Sequence, residues 1–280
     1  MIVGVVGLGL IGGSMAKAIN QNTGSSVYGF DKDDSISKKA ILVGATEGIL
    51  TEELLPECDL IILGLYPNDT IDFVENNADK FKENAIIIDT CGIKKHVCRR
   101  LFPLAKEKGF NFIGGHPMAG MEHAGFDYSK KTLFTGAGMI LVPPKGMDIA
   151  LVDNVSKFFK SAGFAETPIT DEVNHDRIIA FTSQLAHAVS SAYVESPTAP
   201  EHIGFSAGSY KDMTRVAKLN ETMWTELFLE NSEFLAEEID CLIDNLKKFR
   251  DALKSNDEKS LFNLLKHGRE RKLEIDKEIF

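Results

Sequence analysis

Short apolar runs recur through the first part of the chain, at residues 2–6, 26–30, 60–63, 85–88, 110–113 and 139–142. Helical stretches of roughly a dozen residues separate most of them, the pattern of crossover units and a mainly parallel sheet. Runs such as "LIILGL" and "AIIID" do not alternate with polar residues. That fits strands covered by helices on both faces.

After "AETPIT" the strand pattern stops. Ile178, Phe181, Leu185, Val189 and Ala192 recur every three to four positions, so a helix is predicted to open near Asp171 with these residues as its apolar face. A proline-bearing stretch, "ESPTAPEHIGFSAGSY", interrupts it. A second pattern then runs through Trp224, Leu227, Leu235, Ile239, Leu242, Leu246 and Leu253 until "KSNDEK" breaks it, and a last charged helix follows. Read as one helix of roughly thirty residues, the second pattern exceeds the usual length in a compact domain and suggests packing against another subunit. The expected organisation is α/β: a doubly wound, mainly parallel sheet over 1–169, then an all-α domain over 170–280 that carries substrate contacts and a homodimer interface. No internal repeat or low-complexity tract is evident.

The first strand leads directly into "GLGLIGGS". Gly7, Gly9 and Gly12 form a GxGxxG at the junction of a strand and a helix, with Leu8, Leu10 and Ile11 between them. The first glycine allows the turn, the second lets backbone approach a pyrophosphate, and the third lets helix and strand pack closely. The helix N-terminus adds free N–H groups and a partial positive charge. A glycine-rich turn alone is a weak signal, but the strand–turn–helix context makes it a Rossmann-type dinucleotide site. The second strand ends in "GFDKDD". Asp31 stands where a carboxylate accepts from the adenosine ribose hydroxyls and repels a 2′-phosphate, so NAD is the expected cofactor, with Lys32 able to soften the preference.

Composition narrows the function classes. A formal net charge of −10 argues against a general nucleic-acid binder, though a local basic cluster can still hold a small anion. The longest stretch free of charged residues, 178–194, contains Thr182, Ser183, Gln184, His187, Ser190 and Ser191, which fits a buried helix better than a membrane span. Met1 runs straight into a strand with no signal-peptide pattern, and no membrane or nucleic-acid partner is expected. Cys58, Cys91, Cys98 and Cys241 show neither a CxxC pair nor a disulfide framework, so reduced thiols in a cytoplasm are expected. No cluster with metal-ligand spacing is seen, and no nucleophile–base pair suggests a hydrolase.

"NFIGGHPMAGMEHAG" holds the leading catalytic candidate. In an open α/β sheet ligands bind beyond the carboxyl ends of the strands. "FNFIGG" is a strand with His116 following at once, so His116 belongs on that edge; "AIIIDTCGIKK" delivers Asp89, Thr90, Cys91, Gly92 and Lys94 to the same edge. The competing reading of His116 is a histidine that satisfies a turn carbonyl. On the uncharged helix, Ser183, His187, Ser190 and Ser191 form a neutral polar stripe that needs partners, either a neighbouring helix or a substrate. In "YKDMTRVA", Arg215 lies one helical turn past Lys211, with Asp212 between. Arginine suits a bidentate grip on a carboxylate, and the alternative is a surface salt bridge.

Together these stretches resemble the prephenate/arogenate dehydrogenase family of tyrosine biosynthesis: "GLGLIGGS", "DTCGIK", "GGHPMAGME", "NHDRIIAFTSQLAH" and "KDMTRVA" with Met223–Trp224, in family order over nearly the whole chain. The resemblance implies NAD-dependent oxidative decarboxylation, with prephenate favoured over arogenate on family grounds. By position it implies that His116 takes the proton of the ring hydroxyl, that His187 lines the substrate site, and that Arg215 binds a substrate carboxylate. Glu122 and Asp212 match acidic residues that order this arginine; Lys211 is grouped with the substrate contacts. Two positions depart from the commonest family pattern: Gly92 stands where many members have a serine, and Met121 where Ser or Thr is common. Nothing resembling a fused chorismate mutase or an appended regulatory domain is expected. Two other readings remain at this point. Another Rossmann dehydrogenase, acting on a β-hydroxyacid or an imine, shares the architecture but not the "HPMAG" and "DMTR" stretches together. A non-catalytic NAD-sensing dimer is the rival from a different class.

Overall fold

The computed structural model describes residues 1–121 and 123–277. The expected strands form, with one addition. β1 (Ile2–Val6), β2 (Ser26–Phe30), β3 (Gly48–Ile49), β4 (Leu60–Leu63), β5 (Ile86–Asp89), β6 (Asn111–Pro117) and β7 (Met139–Val142) make one sheet in the order β3-β2-β1-β4-β5-β6-β7. All pairings are parallel except β6 with β7. The two-residue β3, which lies at the edge, is the strand that the hydropathy pattern does not show.

The apolar strands do not alternate because both faces are covered. Leu60 and Ile62 enter one core with Val3, Val5 and Ile88, while Ile61 and Leu63 enter the other with Val6, Ile87 and Phe112. α1 (Leu10–Asn22) and α5 (Ile149–Ala162) pack together on the first core. α3 (Pro67–Asn77) and α4 (Lys95–Lys108) pack together on the second. α2 (Asp34–Leu42) follows β2, capped by Asp33, whose side chain accepts from the Ser35 N–H. The direction of winding reverses between β1 and β4, which opens the crevice at the carboxyl ends of these strands.

The helical part begins where expected. Asp171 caps α6 (Glu172–Ile179) by accepting from the N–H groups of Val173 and Asn174, and the helix continues through a π-helical turn, Ala180–Gln184, into α7 (Leu185–Val194). Its buried face is the expected one only in part. Ile178 and Phe181 are 42% and 60% exposed, whereas His175, Asp176, Ile179, Ala180, Gln184 and Leu185 are buried. The proline-bearing stretch separates α7 from α8 (Gly208–Thr214). The single long helix expected through Trp224 and Leu253 is two helices, α9 (Glu221–Glu230) and the 23-residue α10 (Ser232–Lys254). The break falls at Asn231, a buried side chain that donates to the Asp176 carbonyl (2.9 Å) and to Gln184 Oε1 (2.7 Å). α11 (Glu258–Lys277) follows a turn in which Asn256 adopts φ +53.

The chain forms two compact units, Met1–Ser232 and Glu233–Phe280. The second holds most of α10 and all of α11, and large apolar side chains on both helices, among them Leu246, Leu253, Phe262 and Leu265, are exposed. Among the described residues no helix is long and apolar enough to cross a membrane.

Candidate active site

The glycine turn after β1 is built by close approach. Gly7 has φ +81, a left-handed value that favours glycine, and a Cβ there would lie 2.6 Å from the Gly64 carbonyl oxygen. A Cβ on Gly12 would lie 1.9 Å from the Gly7 carbonyl oxygen, so helix α1 can rest on the turn only without a side chain. Gly9 differs: a Cβ would project into open space, with nothing within 4 Å among the described residues. Gly9 is also the N-cap of α1 and makes no side-chain cap, leaving the helix N-terminus, with Leu10 and Ile11, open to an anion. Asp31, at the end of β2, accepts from the Leu8 N–H (2.8 Å) and from the Asp33 N–H (3.0 Å), which ties the turn to the second strand. Lys32 is exposed beside it. The residues fit a dinucleotide: a cradle without side chains, donors at a helix start, and a carboxylate at the strand end.

His116 is carried past the parallel sheet. The β5–β6 pairing ends at Ile88 and Ile113, whereas β6 continues and pairs His116 with Ile140 of β7. His116 therefore lies within a strand rather than in the loop after one, and it projects beyond the carboxyl end of β5. The two preceding glycines make room for this. A Cβ on Gly114 would meet Cys98 Sγ at 2.7 Å, and one on Gly115 would meet the Asp89 carbonyl oxygen at 2.4 Å.

Asp89 and Lys94 reach this edge, yet neither faces a cleft. Both are fully buried and paired with each other, and Asp89 also accepts from the N–H groups of Cys91 (3.0 Å) and Gly115 (3.1 Å). Burial pulls the Lys94 ammonium down, but the Asp89 carboxylate more than offsets it and holds Lys94 above its ordinary value. The pair locks β5, the start of α4 and β6 together. Burial and Asp89 push Cys91 up, so it stays a thiol rather than a nucleophilic thiolate.

The partner of His116 comes from α6. His116 Nδ1 and His175 Nε2 are 3.0 Å apart, and His175 Nδ1 lies 2.7 Å from Asp176 Oδ1. Asp176 in turn accepts from the backbone N–H groups of Lys94 (2.7 Å, on Oδ1) and Lys95 (2.8 Å, on Oδ2). Burial, reinforced by His175 and Lys94, pushes His116 well below the ordinary imidazole value. His175 is also lowered by burial, against the pull of Asp176. The other ring nitrogen of His116 faces Gly92, 4.0 Å from where a Cβ would stand. Residue type and spacing along the chain do not single out His175 and Asp176. Their signal is the adjacent His-Asp pair near the start of α6, inside the "NHDRIIAFTSQLAH" stretch.

His187 and Arg215 occupy a second cluster. His187 Nδ1 lies 2.9 Å from the Ser183 carbonyl oxygen, and the ring stacks on Trp224 at 3.8 Å between centroids. Burial lowers its pKa and the Arg215 charge adds to the effect, against the Ser183 carbonyl. Arg215 opens a 3-10 turn, Arg215–Ala217, that packs on α7; its N–H bonds to the Lys211 carbonyl. Lys211 and Asp212 are exposed on α8, and Glu122 lies outside the described residues. In the polar stripe, Ser190 Oγ is buried without a hydrogen-bond partner among the described residues. The two clusters meet along α9. Trp224 stacks on His187, while Leu227, one turn on, comes within 3.6 Å of the Cβ position of Gly92 beside His116.

Residues 15–165 match the family model described as prephenate dehydrogenase, nucleotide-binding domain, and residues 171–267 the one described as prephenate dehydrogenase, dimerization domain. The chain belongs to the prephenate dehydrogenase family. It is similar to prephenate dehydrogenase of Bacillus subtilis, 27% identical over 274 residues covering 95% of this chain and 74% of that protein. Cyclohexadienyl dehydrogenase of Zymomonas mobilis is 27% identical over 283 residues, covering 98% and 95%. The crystal structure of prephenate dehydrogenase from A. aeolicus, in complex with hydroxyphenyl propionate and NAD+, superposes with a TM-score of 0.85 at 28% identity over 98% of both chains. Membership gives the reaction class, an NAD(P)-dependent dehydrogenase of the prephenate/arogenate type, and assigns the sheet to nucleotide and the helices to dimerisation.

Proposed function

We propose that the chain is an NAD-dependent prephenate dehydrogenase of tyrosine biosynthesis, a cytoplasmic homodimer that oxidises and decarboxylates prephenate to 4-hydroxyphenylpyruvate. The observation that carries this reading is His116, a neutral imidazole held beyond the strand ends on the edge that bears the glycine turn. Gly7, Leu8, Gly9, Leu10, Ile11 and Gly12 hold the pyrophosphate, and Asp31 accepts from the adenosine ribose. NAD+, when bound, supplies the acceptor for a hydride from the ring carbinol carbon.

The chain's own residues handle charge and protons. His116 draws off the hydroxyl proton as the carbinol is oxidised. As carbon dioxide leaves, its bonding pair enters the ring and passes to oxygen, and the proton returns to the phenolate. The balance is even: a dianion and NAD+ become a monoanion, carbon dioxide and NADH, with no net proton. Arg215 grips a substrate carboxylate, His187 and Lys211 line the same wall, and Glu122 and Asp212 order the guanidinium. Prephenate and arogenate differ only as keto against amino on the side chain, and prephenate is the preferred reading.

One assay tests the proposal: NADH absorbance with each substrate and each cofactor. Prephenate with NAD+ is expected to give the highest kcat/KM, and Asp31→Ala is expected to narrow the preference for NAD over NADP. Turnover of arogenate alone would correct the substrate, and an unchanged cofactor ratio would remove Asp31 from its role. No turnover of either substrate would overturn the reading.

A further inference from the structure

The hydrogen-bond chain behind His116 has a direction, and the direction comes from its buried end. The Asp176 carboxylate receives the N–H groups of Lys94 and Lys95, one on each oxygen, at the start of α4. Held this way it offers only acceptor capacity to a third partner, so His175 Nδ1 carries the proton of the 2.7 Å contact. A neutral His175 then has a bare Nε2. That atom is 3.0 Å from His116 Nδ1, so His116 must donate there, because two facing lone pairs would repel. The remaining nitrogen of His116, Nε2, is left with its lone pair on the side that meets Gly92.

We infer that His175 and Asp176 are positioning residues that hold His116 in the tautomer with a proton on Nδ1 and a bare Nε2, and that steady the imidazolium formed during turnover. The inference rests on His116 being the base. In the step, the substrate O–H bond breaks and an Nε2–H bond forms on His116. The Nδ1 proton shifts along the existing hydrogen bond toward His175, so the positive charge approaches the Asp176 carboxylate. Return of the proton to the phenolate reverses each transfer, and nothing is consumed. Burial of His175, which disfavours its doubly protonated form, supports the neutral starting state. The same logic explains why these two polar residues take the buried face of α6 while Ile178 and Phe181 stay exposed.

A structural clip between α6 and α4 would use the same atoms, so the test must read proton placement. In Asp176→Asn the amide keeps the shape but can present a donor to His175. This would turn both imidazoles around and put the proton on His116 Nε2. Loss of the orienting carboxylate in a serine-protease triad costs roughly 10⁴ in kcat by this tautomer error. Asp176→Asn is expected to lose at least about 10² in kcat, with KM and NAD binding little changed. The charged groups facing His116 are the His175–Asp176 pair of α6, Lys94 before α4 and, through Lys94, Asp89 of β5. Only the first changes in the variant. Removing its negative charge disfavours the His116 imidazolium, so the acid limb of the residual activity moves to lower pH.

Nitrogen-15 NMR of the histidines in the wild-type protein, assigned by difference against His116→Gln, reads the tautomer directly and does not depend on any variant at position 176. A protonated Nδ1 and a bare Nε2 on His116 support the inference; the opposite tautomer overturns it. An Asp176→Asn enzyme with unchanged kcat and pH profile, beside an inactive His116→Ala enzyme, overturns the relay and leaves the base assignment standing. Activity retained in His116→Ala removes the base assignment itself and the relay with it.

Discussion

At His116 the controlling quantity is how readily the ring takes a second proton. Burial, His175 and Lys94 all act in the same direction, well below the ordinary value of 6.5. The neutral form, which the proposed base requires, is therefore present at neutral pH and is lost only as pH falls through the depressed value. The kcat/KM profile, which reports the free enzyme, is expected to show an acid limb with its midpoint below 6.5. A midpoint at or above that value would mean the ring is more solvated than the fold implies. His116 was legible in the sequence because a strand end on a dinucleotide sheet delivers its next side chain to the cleft. His175 was not, since an adjacent His-Asp pair near a helix start reads equally well as a core contact. Only the crossing of α6 over the start of α4 brings His116 against His175 and the backbone amides of Lys94 and Lys95 onto Asp176.

Among the elements, the glycine turn shows two different demands on one motif. Gly12 is required by the protein itself, because its Cβ would collide with the Gly7 carbonyl at 1.9 Å. Gly9 is required by nothing among the described residues, since its Cβ would meet none of their atoms within 4 Å. Gly12→Ala is expected to lower stability by about 1–3 kcal/mol in urea unfolding, from overpacking against backbone. Gly9→Ala is expected to leave stability within about 0.5 kcal/mol and to weaken NAD binding. NAD affinity unchanged in Gly9→Ala would show that the open space is not the pyrophosphate cradle. The α6–α7 helix shows the limit of periodicity. Hydropathy selects Ile178 and Phe181 for the interior, but Asp176 and Gln184 are buried because partners await them. At the break, the buried Asn231 amide likewise finds the Asp176 carbonyl and Gln184. A count of apolar residues carries no record of partners that lie distant in sequence.

For the whole molecule, the exposed apolar side chains of the helical part fit the proposed homodimer. In the first unit, Phe181, Ile203, Phe205 and Leu229 are largely solvated, and in the second Leu246, Leu253, Phe262 and Leu265 are too. These positions fall within residues 171–267, which match a dimerization domain. Sedimentation at micromolar concentration is expected to give twice the chain mass of 30.8 kDa, and Phe262→Glu with Leu265→Glu to shift the protein toward monomer. A wild-type monomer at that concentration would contradict the homodimer.

The sequence by itself determined the order of the strands along the chain, the glycine turn and its acidic companion, the onset of the helical part at Asp171, and the delivery of His116 to the strand ends. Each is a local property, set by runs of residues whose period, turn chemistry or capping acts within a few positions. Tertiary structure alone decided that β6 runs on to pair antiparallel with β7, that Asp89 and Lys94 are buried against each other, and that His175 and Asp176 stand behind the catalytic candidate. Those outcomes depend on hydrogen bonds between groups dozens of residues apart. Their energy exists only once the helices have packed and excluded the water that would otherwise compete for the same donors and acceptors.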